Sequence, residues 1–378
     1  MRARPLTKTS ARASIFVRIA LLFYGLLIVY ASCYPFSGWR DNGLAPWAYF
    51  AERLPRYWTW FDVLVNMIGY VPLGALLVLG LYPFLRGLPA LAVAIVGGIL
   101  LAGLMEGIQT FLPSRVPSNL DLLTNAAGVV CGALLGLQAR RFFLEQSRIL
   151  AWRDRWFSDQ ASRGLIVVSL WPLAQIYPQA YLFGHGQLLP ILSGWLSDWL
   201  NRPVDLTQLF WSEYSVSIEQ YLLAEVTITA CGLTGAVLTL LCQTRNKAPK
   251  PWLALLLVLT ALATKSLANA VLFAPENAFT WLTPSAVGGL LIGTIMLIGL
   301  SMAPVIAQRR VAIVALMTGL FVLNIAPANP YFLSMLQEWV QGKFLNFNGA
   351  AQFLSLCWPF LALWFLTHVT HRSDHAAP

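Results

Sequence analysis

Long apolar runs, separated by short polar or basic stretches, recur along the whole chain. A membrane-spanning helix needs about 20 mostly apolar residues. Ten stretches meet or approach that length, at about 16–34, 62–82, 89–112, 119–138, 164–183, 216–241, 251–273, 284–304, 310–326 and 349–369. The ninth is short, so it either tilts little or joins its neighbour as a broken helix. The pattern predicts an all-α fold, a polytopic transmembrane helical bundle of about ten spans. The first run follows a basic N-terminus and has the outline of a signal peptide. Tyr30 is a poor opening for a lipobox ending at Cys33, and more spans follow, so this run reads as an uncleaved first span.

The spacing of Lys and Arg orients the bundle, because short cytoplasmic loops carry the excess of basic residues. With the N-terminus inside, Arg2, Arg4, Lys8, Arg12 and Arg18 are cytoplasmic. So are Arg86, the run Arg140, Arg141, Arg148, Arg153, Arg155 and Arg163, then Arg245, Lys247, Lys250, Arg309, Arg310 and Arg372. The external loops hold only Arg40, Arg53, Arg56, Arg115, Arg202 and Lys343. Both termini are therefore expected in the cytoplasm. The basic stretch 139–163 interrupts the apolar pattern and predicts a boundary. It separates a four-span unit, 1–145, from a six-span unit of unknown type, 146–378. No sequence repeat links them.

Composition agrees. Of 378 residues 58% are hydrophobic and 11% charged, against about 25% charged in soluble domains. The net charge of +9 then belongs to the cytoplasmic lipid surface, and no nucleic-acid partner is expected. Membrane lipids are the expected surroundings, in a multi-pass bacterial cytoplasmic (inner) membrane protein. Cys33, Cys131, Cys231, Cys242 and Cys357 lie scattered in apolar runs, without metal or disulfide spacing. His185, His368, His371 and His375 are too dispersed for a helical ligand set, and His371, Asp374 and His375 look like a solvated tail. No Walker loop, dinucleotide fingerprint or nucleophile elbow occurs. No metal and no cofactor are expected.

The expected external loops are rich in aromatics: Trp39, Trp47, Tyr49, Phe50, Tyr57, Trp58 and Trp60 in the first, and Trp195, Trp199, Phe210, Trp211 and Tyr214 in the third. Such residues favour the membrane–water interface. They also make a stacking surface for a sugar or lipid headgroup, and short interfacial helices suit these loops.

Candidate chemistry concentrates between Trp60 and Gly136. Ionisable groups at membrane depth are expensive and point to function. Asp62 and Asn66 are four apart at the outer end of the second span. Glu106 and Gln109 are three apart near the outer end of the third, with Glu106 about 9 Å below Leu112 at 1.5 Å per residue. Asp121 and Asn125 are four apart at the start of the fourth. Each pair shares a helical face. The connector Pro113–Ser118 makes spans three and four antiparallel neighbours. Its Arg115 is the natural counter-charge for Glu106 or Asp121, since its fork suits carboxylates or a phosphate. Gly128, Gly132 and Gly136 form a smooth face for a neighbouring helix. The cluster is either a self-satisfied network that holds the bundle together or a binding or reacting site.

These residues resemble a known family. Asp62-x3-Asn66-x2-Gly69-Tyr70-x-Pro72-Leu73-Gly74, Glu106-x2-Gln109-x-Phe111-x-Pro113-x-Arg115 and Asp121-x3-Asn125-x2-Gly128-x3-Gly132 are similar to the VanZ-like family, over about residues 20–140. The resemblance implies a small multi-span membrane domain. Through the founding member it also implies an association with resistance to the glycopeptide teicoplanin. It carries no catalytic reaction with it. Relatives often have Ser a turn before the Glu, where this chain has Gly103, and position 119 is Asn where acidic or small polar residues are also common.

The six-span remainder has its own charges. Glu219 and Glu225 lie in the sixth span, Lys265 and Asn269 in the seventh. Glu225 and Lys265 fall about 13 Å and about 12 Å from the external ends of their spans. Equal depth predicts a structural Glu225–Lys265 ion pair. The leading functional expectation is an externally facing polar site for a cell-envelope (glyco)lipid, lipid-linked sugar or glycopeptide-related ligand. Asp62, Asn66, Gln109, Arg115 and Asn125 would bind it. Glu106 and Asp121 would be the acid–base pair if the site reacts, because desolvation lifts a carboxyl towards neutrality. The alternatives are a secondary transporter with Glu106, Glu225 and Lys265 as coupling charges, or a non-catalytic assembly or antibiotic-protection protein. The shallow charges and the lack of a repeat count against the transporter.

Overall fold

A computed structural model of the chain describes residues 8–34, 36, 38–140, 154–158, 161–206, 217–326 and 345–368. It is an all-α helical bundle, with no strand among the described residues. Among the described residues eight helices are long and apolar enough to cross a membrane. The chain is an integral, multi-pass membrane protein. It divides into two compact units, Met1–Arg153 and Asp154–Pro378. The expected boundary at 145–146 falls outside the described residues. So do Arg2, Arg4, Arg141, Arg148, Arg153, Phe210, Trp211, Tyr214, Lys343, His371, Arg372, Asp374 and His375.

The first unit contains α1 (Lys8–Cys33), α2 (Trp60–Leu81), α3 (Leu88–Gln109) and α4 (Asn119–Arg140). Its helix ends are written in local chemistry. Thr59 and Asp62 form a capping box at the start of α2, and Ser118 Oγ receives the Leu120 N–H at the start of α4. At the far end of α2, Arg18 donates to the carbonyls of Gly80 and Tyr82, both at 3.2 Å. That places a cation on the negative end of the helix.

Glycines weld α2 to α4. A methyl group added at Gly128, Gly132 or Gly136 would run into the backbone carbonyls of Met67, Val71 or Ala75 respectively. Gly74 is pressed in the same way against Val129. The two helices therefore run parallel with backbones in contact, the close approach that small residues permit in a bilayer. Outward-facing Leu64, Ile68, Val96, Leu100 and Leu123 are exposed, as lipid contact requires.

The second unit contains α5 (Ala161–Ala174), α6 (Leu189–Leu200), α7 (Ile218–Leu241), α8 (Lys250–Leu272), α9 (Pro284–Ser301), α10 (Val305–Ile325) and α11 (Leu345–His368). Helix α7 is the hub, buried along most of its length, and packs against α5, α8, α9, α10 and α11. Ser217 and Gln220 form its capping box.

Two spans differ from expectation. The fifth does not continue to 183: α5 ends at Ala174, two residues after Pro172, and the chain runs non-helically from Gln175 to Leu188. The apolar run goes on, but Pro172 and Pro178 deny it helical hydrogen bonds. The ninth is full length. It begins at Val305 because Gln308 and Arg309 find backbone partners, Gln308 on Leu300 and Ser301 and Arg309 on Leu366.

Candidate functional site

The first unit gathers its polar residues around the start of α4. Asn66 Nδ2 donates to Asp121 Oδ1 at 2.8 Å, tying α2 to α4. Glu106, only 4% exposed, accepts the Ser118 N–H at 3.0 Å through Oε2. Its charge thus faces the positive end of α4. Gln109 Nε2 donates to Ser32 O at 3.2 Å, and Arg115 Nη2 to Ala31 O at 3.2 Å. Both hold α1. Asn119 Nδ2 reaches Glu52 O at 2.6 Å.

Asp62 is exposed, and its carboxylate accepts from the backbone and hydroxyl of Thr59. It therefore serves the α2 cap as well as lying near the cluster. Asn125 is buried one turn along α4 from Asp121, and its Oδ1 has no hydrogen-bond partner among the described residues.

Arg115 is half-buried on the connector between α3 and α4. Burial pushes its guanidinium below its ordinary value, while the negative charges of Glu106 and Asp121 pull it back up. It remains a cation at any physiological pH. One guanidinium thus lies in the field of two carboxyl groups, the buried Glu106 and the half-buried Asp121, from two antiparallel helices, at the end of the unit where Trp39, Trp47, Phe50, Tyr57, Trp58 and Trp60 stand exposed. Tyr49 alone turns inward: it is 4% exposed, and its hydroxyl donates to Gly103 O at 3.1 Å. The phenol occupies the flank of α3 beside Gly103, and burial together with the Glu106 charge holds it protonated, its pKa raised.

Residues 16–140 match the VanZ/LLP1 family model. The VanZ-like segment coincides with α1–α4 and bears out the resemblance read from the sequence. It covers a third of the chain, and residues 141–378 lie outside the match. No curated protein and no solved structure matches the chain. The motif residues of the VanZ-like segment divide into two kinds. Gly74, Gly128 and Gly132 build the α2–α4 contact, and Asn66, Glu106, Gln109, Arg115, Asp121 and Asn125 build the polar end.

In the second unit Glu225 and Lys265 are both buried, at 4% and 2% exposure. The expected Glu225–Lys265 ion pair has no hydrogen bond between its partners. Glu225 Oε1 accepts from Thr283 Oγ1 at 2.7 Å, whereas Lys265 Nζ has no hydrogen-bond partner among the described residues. Equal depth does not fix direction. Glu225 points to the start of α9, and the face of α8 that carries Lys265 also carries Ala261, Ala268 and Leu272. Ala268 and Leu272 pack with Ile176, just beyond α5.

Sequence reasoning missed a second polar group, formed by Gln175, Gln179, His185, Asn324 and Ser355. The two glutamines grip the imidazole: each amide nitrogen lies 2.6 Å from one ring nitrogen. The signal available in the sequence was the pair Pro172 and Pro178 with glutamines four apart, inside a run too apolar for a loop. Among the described residues no group of acidic, His and Cys side chains could hold a metal.

Proposed function

We propose that the VanZ-like unit binds the polar headgroup of an envelope lipid, a glycolipid or lipid-linked sugar, at the end formed by Glu106, Arg115 and Asp121. The observation that carries this reading is that Glu106 of α3 and Asp121 of α4 both act electrostatically on Arg115 of the connector, with Glu106 held against the start of α4 by the Ser118 N–H. Asn66 and the unpartnered Asn125 Oδ1 lie beside them. Two carboxyl groups, two amides and one guanidinium suit hydroxyl and amino groups of a sugar together with one acidic group. The exposed tryptophans around them suit stacking on a sugar face and anchoring at the lipid interface.

On this reading the end in question faces outward across the bacterial cytoplasmic membrane, as the basic-residue pattern expects. Binding requires no reaction. Glu106 and Asp121 are the groups that would handle protons if one occurs. The non-catalytic protection reading, with teicoplanin as the relevant challenge, uses the same headgroup site.

The test compares wild type with Glu106→Gln and Arg115→Ala. Lipids that co-purify with the detergent-solubilised protein are identified by mass spectrometry, and folded yield and teicoplanin tolerance are measured beside them. Loss of a specific sugar-bearing lipid at normal folded yield is the expected result. Collapse of yield with an unchanged lipid complement in the surviving protein would make the cluster a structural network.

A further inference from the structure

We propose that the second unit holds a buried proton-binding site made of Lys265 of α8 and His185 of the non-helical segment Gln175–Leu188. The segment is unusual first for its location. Ala174 to Leu189 are all buried or half-buried. Phe183 lies against Gly232, in the middle of α7, and Gly186 against Leu320 and Pro359. Irregular backbone is tolerated at membrane depth only where protein encloses it and its polar groups are met.

Here they are met by side chains. Asn324 Oδ1 takes the N–H groups of Leu188 and Leu189 at 2.7 and 3.0 Å, and its Nδ2 donates to Gly186 O at 3.0 Å. Thr229 donates to Leu182 O, and the Ser355 carbonyl takes the Gly186 N–H. A half-helix followed by unwound chain is where ion-coupled membrane proteins place their ion sites.

The second observation is the ring clamp. Gln175 Nε2 and Gln179 Nε2 face the two ring nitrogens of His185, and Ser355 Oγ lies 3.3 Å from Nδ1. The amide oxygens of both glutamines are buried without partners among the described residues. A neutral imidazole presents one N–H and one acceptor, and an imidazolium presents two N–H groups. A half-turn of one amide supplies the oxygen that the neutral ring needs. A half-turn of both supplies the two that the protonated ring needs. Each half-turn also gives up an amide bond to the backbone, that of Gln175 to Trp171 O or of Gln179 to Ala174 O, so the protonated ring is accommodated at the expense of the segment's anchoring, while Ser355 donates or accepts as required.

The third observation is Lys265. Its Nζ is buried without a hydrogen-bond partner among the described residues, on a stretch of α8 whose Ala261 shares a cluster with Trp171, Ala174 and Phe183 and whose Ala268 packs with Ile176, so that its charge acts on the His185 ring. A buried ammonium with no counter-charge is costly, and surrendering the proton removes the cost. The facing groups offer no fixed charge to hold it. Helix α5 carries only Arg163, at its other end, and α9 carries none. Glu225 of α7 is engaged by Thr283, while Glu219 and Glu276 are exposed. Tyr177 and Tyr181 lie on the segment itself, and Arg309, Arg310 and His368 sit at the far ends of α10 and α11.

Two basic groups buried in the same unit, with no acid engaged by either among the described residues, favour holding one proton in place of two. A cavity of about 20 Å³ adjoins His185, lined also by Gly184, Gly232, Leu320 and Trp358. It has the room one water molecule needs to pass a proton on.

The test is hydrogen–deuterium exchange of the full chain in detergent, with wild type, Lys265→Met and His185→Gln compared at the same pH so that intrinsic rates cancel. Lowering the pH from about 8.5 to about 5.5 should raise exchange in 175–188 of wild type relative to Lys265→Met by about tenfold, the factor given by one unit of linked titration. Lys265→Arg, charged throughout, should hold the segment at the high-exchange level. A constant ratio of wild type to Lys265→Met across the pH range overturns the proposal. So does a response to sodium at fixed pH in place of a response to protons. If Lys265→Met yields no folded protein, His185→Gln takes its place, and a constant ratio there overturns the proposal equally.

Discussion

The two polar interiors of this protein are built on opposite plans. In the VanZ-like unit the acids sit at helix starts: Asp62 in the α2 cap, Asp121 in the first turn of α4, and Glu106 on the Ser118 N–H. Their charges are met by backbone and by Arg115, near an end ringed with exposed tryptophans. In the second unit Lys265 and His185 are enclosed, neither held by a helix-capping bond, in the part of the unit where α5 stops. The first plan makes a charged site cheap and accessible, which suits a ligand arriving from the lipid–water boundary. The second makes charge expensive and conditional, which suits a group that gains and loses it.

That contrast can be broken at its foundations. Gly132→Leu forces a side chain into the Val71 carbonyl. It should destabilise the first unit by about 3 kcal/mol, read as loss of folded yield and of exchange protection in α2 and α4. Protection in α7 should survive. If both units lose protection together, they are not separate folding units.

Asn324→Ala removes one acceptor, shared by two N–H groups, and one donor from the segment at 186–189. Unmet buried backbone groups cost about 2 kcal/mol, so exchange should accelerate locally in 175–189, while the first unit and its bound lipid stay unchanged. The smallest effect is expected at Asp62→Ala. It removes one half of an exposed capping box, a loss of about 1 kcal/mol, seen as a small fall in melting temperature with lipid content retained. Loss of the lipid there would move Asp62 from the cap into the binding site.

The difference between the plans also explains what the sequence disclosed. Helix-end chemistry is local: Thr59 with Asp62, Ser118 before Asp121, and Gly128, Gly132 and Gly136 in register are all visible as spacings. Hence α2, α3 and α4 and their polar groups were legible, and the family resemblance with them. The second interior is not local. His185 meets Ser355 across 170 residues, and Asn324 meets Leu188 across 136. The apolar run through Tyr181–Phe183 gave a span because lipid and protein interior select the same side chains. Counting residues put Glu225 and Lys265 at one depth, but the direction each faces depends on packing around α7, which no spacing encodes.

The central claim is that the two interiors do different work, and Glu106→Gln set against Lys265→Met tests it most directly. Co-purified lipid and the pH response of exchange in 175–188 are measured on both variants and on wild type. Glu106→Gln should lose the lipid and keep the pH response; Lys265→Met should keep the lipid and lose the pH response. If either substitution abolishes both readouts while the protein remains folded, the division is contradicted.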